Sequence, residues 1–150
     1  MKSLYQPERV EEVKQRINQL QAGSQRQWGK MNLPQALAHC ALAMELALGE
    51  SISPRLFLGR IIGRFIKPLV FRDDEPMRPN SPTIKNLIIH DERNLELERA
   101  RLRKLIERFA AAGPSGCTTH PHAFFGPLKP EEWSILMYKH LDHHLRQFGV

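Results

Sequence analysis

The sequence predicts an all-α fold, a bundle of four principal helices with one further amphipathic helix inserted among them. Apolar residues recur at the three- and four-residue spacing of helices along most of the 150-residue chain. Glycine and proline separate the segments that carry this spacing, and both residues end helices and form turns. The length fits one domain, residues 1–150, whose core needs no disulfides.

The first two helices have clear start and stop signals. Residues 7–22 place Val, Ile and Leu on one helical face, and Gly23 ends that helix. Asn32 is a suitable N-cap for a second helix over 33–48, and Gly49 ends it. Almost every position of the second helix is Ala, Leu, Met or Cys. A helix that is apolar on nearly all sides is predicted to lie at the centre of its bundle.

The remaining segments follow the same pattern. Residues 55–71 form a basic amphipathic helix, and the three prolines within 72–83 predict a loop. Residues 84–89 are expected to be extended, and a long helix is predicted over 91–112. The final helix begins at Pro130 and runs almost to the C-terminus.

The final helix carries a row of inward-facing side chains. Trp133, Met137, His140, His144 and Gln147 are spaced by four and three residues and therefore share one face. The first two are core residues by type, so the two histidines should also face the interior. Two imidazoles one turn apart can direct nitrogens at one metal ion.

A third ligand is expected from a facing helix, because two protein ligands rarely hold a metal. His39 is the obvious donor, since it stands alone on the apolar second helix. A buried imidazole without a partner is costly, and convergence on one ion would satisfy all three. Spacing alone leaves another interpretation open, in which His39 is a hydrogen-bonded core residue and the pair on the last helix faces solvent.

The segments WGKMNLPQALAHC and YKHLDHHLRQFG resemble the DinB-like superfamily of helical bundles, and most closely a bacterial subfamily still labelled as a domain of unknown function. The resemblance covers both motifs and the order of the helices. It implies a metal-binding four-helix bundle in which His39, His140 and His144 are the ligands. Gln147 matches the closing glutamine of the motif, and His143 matches its middle histidine. Both are expected beside the ligands and not among them.

Three neutral imidazoles suit zinc, nickel, iron(II) or copper, with zinc or nickel favoured and iron as an alternative. Three protein ligands leave coordination positions for water or substrate, as in catalytic sites. His120 and His122, in the loop before the last helix, are candidates for an acid–base role or for extra ligands. The alternative is that both are solvated while the neighbouring phenylalanines close the end of the bundle.

Charge and composition narrow the classes of partner. The net charge of +6 permits acidic partners, and its local excess lies in 55–72. No RNA-binding aromatic motif or zinc-finger spacing accompanies it, so we expect no nucleic-acid partner. The cations within 56–71 argue against a membrane span, and the helix is expected to cover the bundle. The two cysteines form no C-x-x-C pair and no apolar leader follows Met1, so we expect a cytoplasmic protein.

Three functions follow from these observations. The first is a metal-dependent enzyme, because relatives in the DinB-like superfamily include thiol-dependent S-transferases; a small-molecule thiol and an electrophile would be the substrates. The second is a non-catalytic metal-binding or stress-related protein. The third is a module that binds a membrane surface or nucleic acid through the 55–72 helix. A homodimer is compatible with each of them.

Overall fold

A computed structural model describes all residues from Met1 to Val150 and confirms an all-helical chain. Two single 3-10 turns, Lys85–Leu87 and Pro114–Gly116, lie in the connections. The five α-helices are α1 (Pro7–Gln19), α2 (Leu33–Leu48), α3 (Phe57–Val70), α4 (Leu95–Ala112) and α5 (Pro130–Gln147).

The helix α2 lies at the centre, as its composition predicts. It packs against α4 and α5, and α1 packs against the same two helices. The side chain of Asn32 accepts a hydrogen bond from the backbone N–H of Gln35, whose own side chain accepts one from Asn32 N–H. This reciprocal cap fixes the start of α2. Ten of its sixteen residues are buried, so the helix has no face left for solvent contact along most of its length.

Two predicted helix boundaries, the end of the first helix and the start of the fourth, were wrong by several residues. The first helix ends at Gln19 instead of residue 22, because the guanidinium of Arg99 donates hydrogen bonds to the carbonyls of Ile17 and Leu20. These bonds satisfy the terminal carbonyls that a further turn would have used. The fourth helix begins at Leu95 instead of residue 91.

The later start of α4 follows from its cap. The Asn94 side chain accepts a hydrogen bond from Leu97 N–H at 3.0 Å, while Asp91 is engaged in an ion pair with Arg93. The segment 84–89, expected to be extended, contains the 3-10 turn over Lys85–Leu87 instead. Leu87 N–H bonds to the carbonyl of Ile84 at 2.9 Å and closes that turn.

The inserted helix α3 contacts the rest of the protein through its glycines. A Cβ atom at Gly59 would lie 2.6 Å from the carbonyl oxygen of Phe124, and one at Gly63 would lie closer still. The small residues therefore form the packed face, against the loop that precedes α5. We expected α3 to cover the bundle and to extend its cations into water, and Arg60 and Arg64 are indeed exposed. Its cover is incomplete, however, because five of its large apolar side chains are themselves half or more exposed.

None of the helices is long and apolar enough to cross a lipid bilayer.

Candidate metal centre

Three histidines meet between α2 and α5. One ring nitrogen from each of His39, His140 and His144 lies within 4.8 Å of the other two. The imidazole centroids are 4.8 Å apart in every pairing. The structure thus brings together the three side chains that the sequence selected as ligands.

The helices position these side chains in the way the spacing predicts. Trp133 and Met137 are buried, and the same face of α5 carries His140 and His144 one and two turns further on. His39 is 1% exposed because α2 is buried on nearly all sides. Since α2 and α5 are in contact, the lone histidine of one helix meets the pair on the other.

Hydrogen bonds define the tautomers of two of the three imidazoles. His39 Nδ1 lies 2.8 Å from the carbonyl oxygen of Leu87, and His144 Nδ1 lies 2.8 Å from Oε1 of Gln147. Both oxygens are acceptors, so both Nδ1 atoms carry the proton. Each Nε2 atom then carries a lone pair, which is the state in which imidazole binds a metal, and Nε2 of His39 faces Nε2 of His140 at 2.8 Å.

Gln147 holds His144 in place and is itself anchored. Its amide nitrogen donates to the carbonyl of Trp28 at 2.7 Å, and this fixes the direction of its Oε1. Gly29 makes the contact possible, because a Cβ atom there would lie 2.5 Å from that amide nitrogen. The sequence placed Gln147 beside the ligands, and the structure shows the contact by which it orients one of them.

His140 lacks a complete set of partners. Its Nε2 lies 2.8 Å from Nε2 of His39, while its buried Nδ1 has no hydrogen-bond partner. An unpaired buried nitrogen costs about 1–3 kcal/mol. Nitrogen donors from three neutral imidazoles that converge in this way suit a borderline-soft divalent cation.

The surroundings keep the cluster neutral. Burial lowers the pKa of His144 to about 3 and the pKa of His140 well below its usual range, with the neighbouring imidazoles acting in the same direction. Burial also lowers the pKa of His39, against the hydrogen bond to Leu87 that raises it. Neutral imidazole is the form that ligates, so the cluster is ready to bind metal near neutral pH.

No carboxylate forms a hydrogen bond or an ion pair with the three histidines. The nearest acid along α5, Asp142, is paired instead with Arg16 and Arg146, each at 2.8 Å. The donor set is therefore entirely nitrogen, and the cluster has no partner suited to act as a general base.

His143 lies beside the cluster with both ring nitrogens engaged. Its Nε2 accepts from the indole N–H of Trp28 at 3.4 Å, and its Nδ1 donates to the carbonyl of Met77 at 3.2 Å. These bonds tie α5 to the proline-rich loop and to the segment before α2. They also leave no free lone pair directed at the other three histidines.

The two loop histidines lie outside the cluster. His122 Nδ1 accepts hydrogen bonds from the backbone N–H groups of Phe124 and Phe125, both at 3.1 Å. The exposed His120 approaches the carbonyl of Ser53 at 3.4 Å. Neither histidine is hydrogen-bonded to the three clustered imidazoles. The contacts of His122 stabilise the loop against which α3 packs.

Cys40 adjoins His39 in sequence but has no part in the cluster. Its side chain is fully buried among apolar residues, and burial alone strongly raises the pKa of its thiol. It therefore stays protonated and is not a nucleophile at neutral pH.

Sequence reasoning missed the partners that come from the backbone. The carbonyls of Leu87 and Met77 hold the imidazoles of His39 and His143, and both belong to the connection between α3 and α4. No sequence signal marks such a carbonyl, because every residue type carries one.

Comparison with known proteins adds the family of the chain. A family model described as "Protein of unknown function (DUF1569)" matches residues 2–149. No curated protein and no solved structure matches the chain.

The hydrogen bonds of His122 lead to a prediction about acid stability. Burial, assisted by Arg55, lowers the pKa of His122 to about 4, below the unfolded value of about 6.5. The neutral ring therefore stabilises the fold above about pH 6.5, and this contribution is lost as pH falls towards 4. The wild type should lose unfolding free energy when the pH falls from about 7.5 to 5. We expect His122→Asn to lose about 1–2 kcal/mol less over the same interval, because its side-chain oxygen can accept the same two bonds.

Urea unfolding at both pH values measures the difference. The variant should be less stable than the wild type near pH 7.5, because it loses the stacking of the imidazole on Phe125. An equal loss of stability on acidification in both proteins would contradict the assigned role of His122.

Proposed function

The chain belongs to the DUF1569 family of proteins of unknown function, and we propose that it binds one divalent metal ion through His39, His140 and His144. The convergence of these imidazoles between two packed helices carries the proposal. In two of them an acceptor oxygen fixes the proton on Nδ1, which leaves the Nε2 lone pair for a metal, and Nε2 of His140 lies 2.8 Å from Nε2 of His39. A cation among the three would take up these Nε2 lone pairs, in place of the contact that His39 and His140 otherwise share.

The donor set indicates the class of ion. Magnesium and calcium prefer carboxylate and carbonyl oxygen, which the cluster does not offer. Imidazole suits zinc, nickel, iron(II) and copper, and we propose zinc or nickel, with iron(II) as the alternative. Three protein ligands leave a position for a small molecule, and the ion supplies Lewis acidity there, which lowers the pKa of a thiol or of water.

The same features support placing the chain in the DinB-like superfamily. In that fold, one ligand comes from the second helix and two come from the last. Here His39 lies on α2, and His140 and His144 lie on the final helix α5. The finer fold assignment is therefore part of the proposal, as a DinB-like bundle with α3 inserted between the second helix and the next long one.

The activity that we propose is transfer of a low-molecular-weight thiol to an electrophilic substrate. The sulfur–carbon bond forms as the leaving group departs with its electron pair, and the thiol proton passes to solvent. His39, His140 and His144 hold the reaction centre, while the Leu87 carbonyl and Gln147 fix two of the rings. The proton has no carboxylate to receive it, so a lowered thiol pKa replaces a general base. Each of the two loop candidates keeps one ring nitrogen without a hydrogen-bond partner, Nδ1 of His120 and Nε2 of His122.

A second candidate is a metal-binding protein without catalysis. The three histidines have no carboxylate partner that could act as a general base, and this favours binding without turnover. The apolar cavity that touches His144 is not lined by His39 or His140 and is therefore not a substrate pocket at the cluster. The second function holds if the protein loads metal and does not turn over any thiol.

Metal binding is the first test. We expect one Zn²⁺ or Ni²⁺ per chain, and we expect His140→Ala to weaken binding at least about a hundredfold. Apparent free energies of zinc binding are ~10–16 kcal/mol and are contributed by about four ligands, so the loss of one ligand costs more than about 2.8 kcal/mol. Each 1.4 kcal/mol corresponds to a factor of ten in the dissociation constant. Competition titration with a chromophoric chelator measures the affinity, and circular dichroism checks the fold of each variant.

Two matched histidine variants are the controls for this titration. His90→Ala removes an exposed imidazole, and His143→Ala removes one whose nitrogens are engaged elsewhere. Both should retain the stoichiometry of the wild type. Stoichiometric binding that persists when His39, His140 and His144 are all alanine would refute the metal site.

Turnover is the second test. We expect the metal-loaded protein to accelerate the conjugation of a bacterial low-molecular-weight thiol to monochlorobimane, with release of chloride. His140→Ala and His144→Ala should abolish the acceleration, because each loses a ligand, whereas His143→Ala should retain it. Fluorescence of the thioether follows the rate. Metal-loaded protein that leaves the rate unchanged with every thiol would contradict the transferase and support the non-catalytic function.

A further inference from the structure

The helix α3 has three distinct faces. Gly59 and Gly63 contact the loop before α5 and are buried. About 150° away around the helix, by ordinary α geometry, lies a face of large apolar residues. A third face, beside the apolar one, carries arginine.

The apolar face of α3 is unusually exposed. Five large residues on this face are half or more exposed: Phe57 79%, Phe65 63%, Leu58 57%, Leu69 57% and Ile61 50%. Single exposed apolar residues are common on soluble proteins, but a contiguous face of five marks a binding surface. The glycines explain the arrangement, since they bring the helix backbone close to the protein and turn the large side chains outward.

The charges beside this face are positive and free. Arg60 and Arg64 are exposed and have no acidic partner, and α3 contains no Asp or Glu. The guanidinium of Arg64 lies 4.6 Å from the ring centroid of Phe65, so cation and apolar surface are contiguous. Lys67 is different, because it is paired with Glu132 at 2.9 Å.

These charges decide between two occupants of the apolar face. A second copy of the chain, paired symmetrically through α3, would bring Arg60 and Arg64 of both copies together without a neutralising acid. An anionic lipid surface can bind the apolar side chains and the arginines at the same time. Acyl chains take up the apolar side chains, while lipid phosphates meet the arginines.

We propose that α3 docks the protein onto an anionic membrane surface, with Phe57, Ile61 and Phe65 in the lipid interface and Arg60 and Arg64 against the lipid phosphates. The helix lies in the plane of the surface, and its opposite face packs against the bundle at Gly59 and Gly63. The sequence favours a helix that covers the bundle over one that rests on a membrane surface, and this proposal reverses that preference. It does not depend on metal binding.

Vesicle flotation of the full chain tests the docking. We expect binding to vesicles of phosphatidylcholine with phosphatidylserine, much weaker binding to phosphatidylcholine alone, and release by high salt. The double substitution Arg60→Gln with Arg64→Gln should lower the partition coefficient at least about tenfold, and Phe57→Gln with Phe65→Gln should do the same.

Matched substitutions elsewhere on the surface are the controls. Leu97→Gln changes an apolar side chain on α4 that is 72% exposed, and Lys104→Gln removes an exposed cation on the same helix. Both should bind vesicles as the wild type does, and all variants should keep the circular dichroism spectrum of the wild type. Sedimentation velocity reports the oligomeric state of each.

Three results would overturn the proposal. The first is wild-type protein that does not float with anionic vesicles. The second is flotation that neither double substitution reduces. The third is a dimer that Phe57→Gln with Phe65→Gln dissociates, because the occupant of this face would then be a second copy of the chain.

Discussion

Burying imidazoles between two apolar helices imposes a condition on the surrounding chain, since each ring nitrogen must find a partner. His39 lies in the middle of the most apolar helix, and its Nδ1 is satisfied by the carbonyl of Leu87 at 2.8 Å. That carbonyl belongs to a 3-10 turn in the connection between α3 and α4. The position of the connection over the cluster is therefore coupled to one buried side chain. Without the Leu87 carbonyl, Nδ1 of His39 would be buried and unpaired, and the free energy of unfolding would fall by about 1–3 kcal/mol.

The hydrogen bonds around the cluster also separate His39 and His144 from their neighbour His143. His39 and His144 donate through Nδ1 to neighbouring acceptors and present free Nε2 atoms, whereas His143 uses both nitrogens to bind Met77 and Trp28. The difference is chemical, since a histidine with two partners has no lone pair to give a metal. Adjacent positions on one helix are thus a proposed ligand, His144, and a structural support, His143. The helix angle of about 100° per residue separates them.

The sequence predicted the meeting of the three histidines better than it predicted the helix ends or the surface. Spacing on α5 and the isolation of His39 on an apolar helix indicated that these side chains come together, because helical periodicity fixes which residues share a face. The end of α1 depends on Arg99, which lies far along the chain, and the 3-10 turn at 85–87 depends on tertiary contacts. The exposed apolar face of α3 could not be predicted from the sequence either. Nothing local shows whether an amphipathic helix packs through its large residues or through glycines such as Gly63.

The central claim is that Nε2 of His39, His140 and His144 converge on one divalent ion. Long-range ¹H–¹⁵N spectra of the imidazoles, recorded before and after loading with ¹¹³Cd²⁺ as a zinc analogue, test it most directly. In the metal-free protein, His39 and His144 should carry their protons on Nδ1, as their acceptors require. After loading, ¹¹³Cd–¹⁵N coupling should appear at Nε2 of the three residues and nowhere on His143. Coupling at His143, or none at any of the three, would contradict the claim.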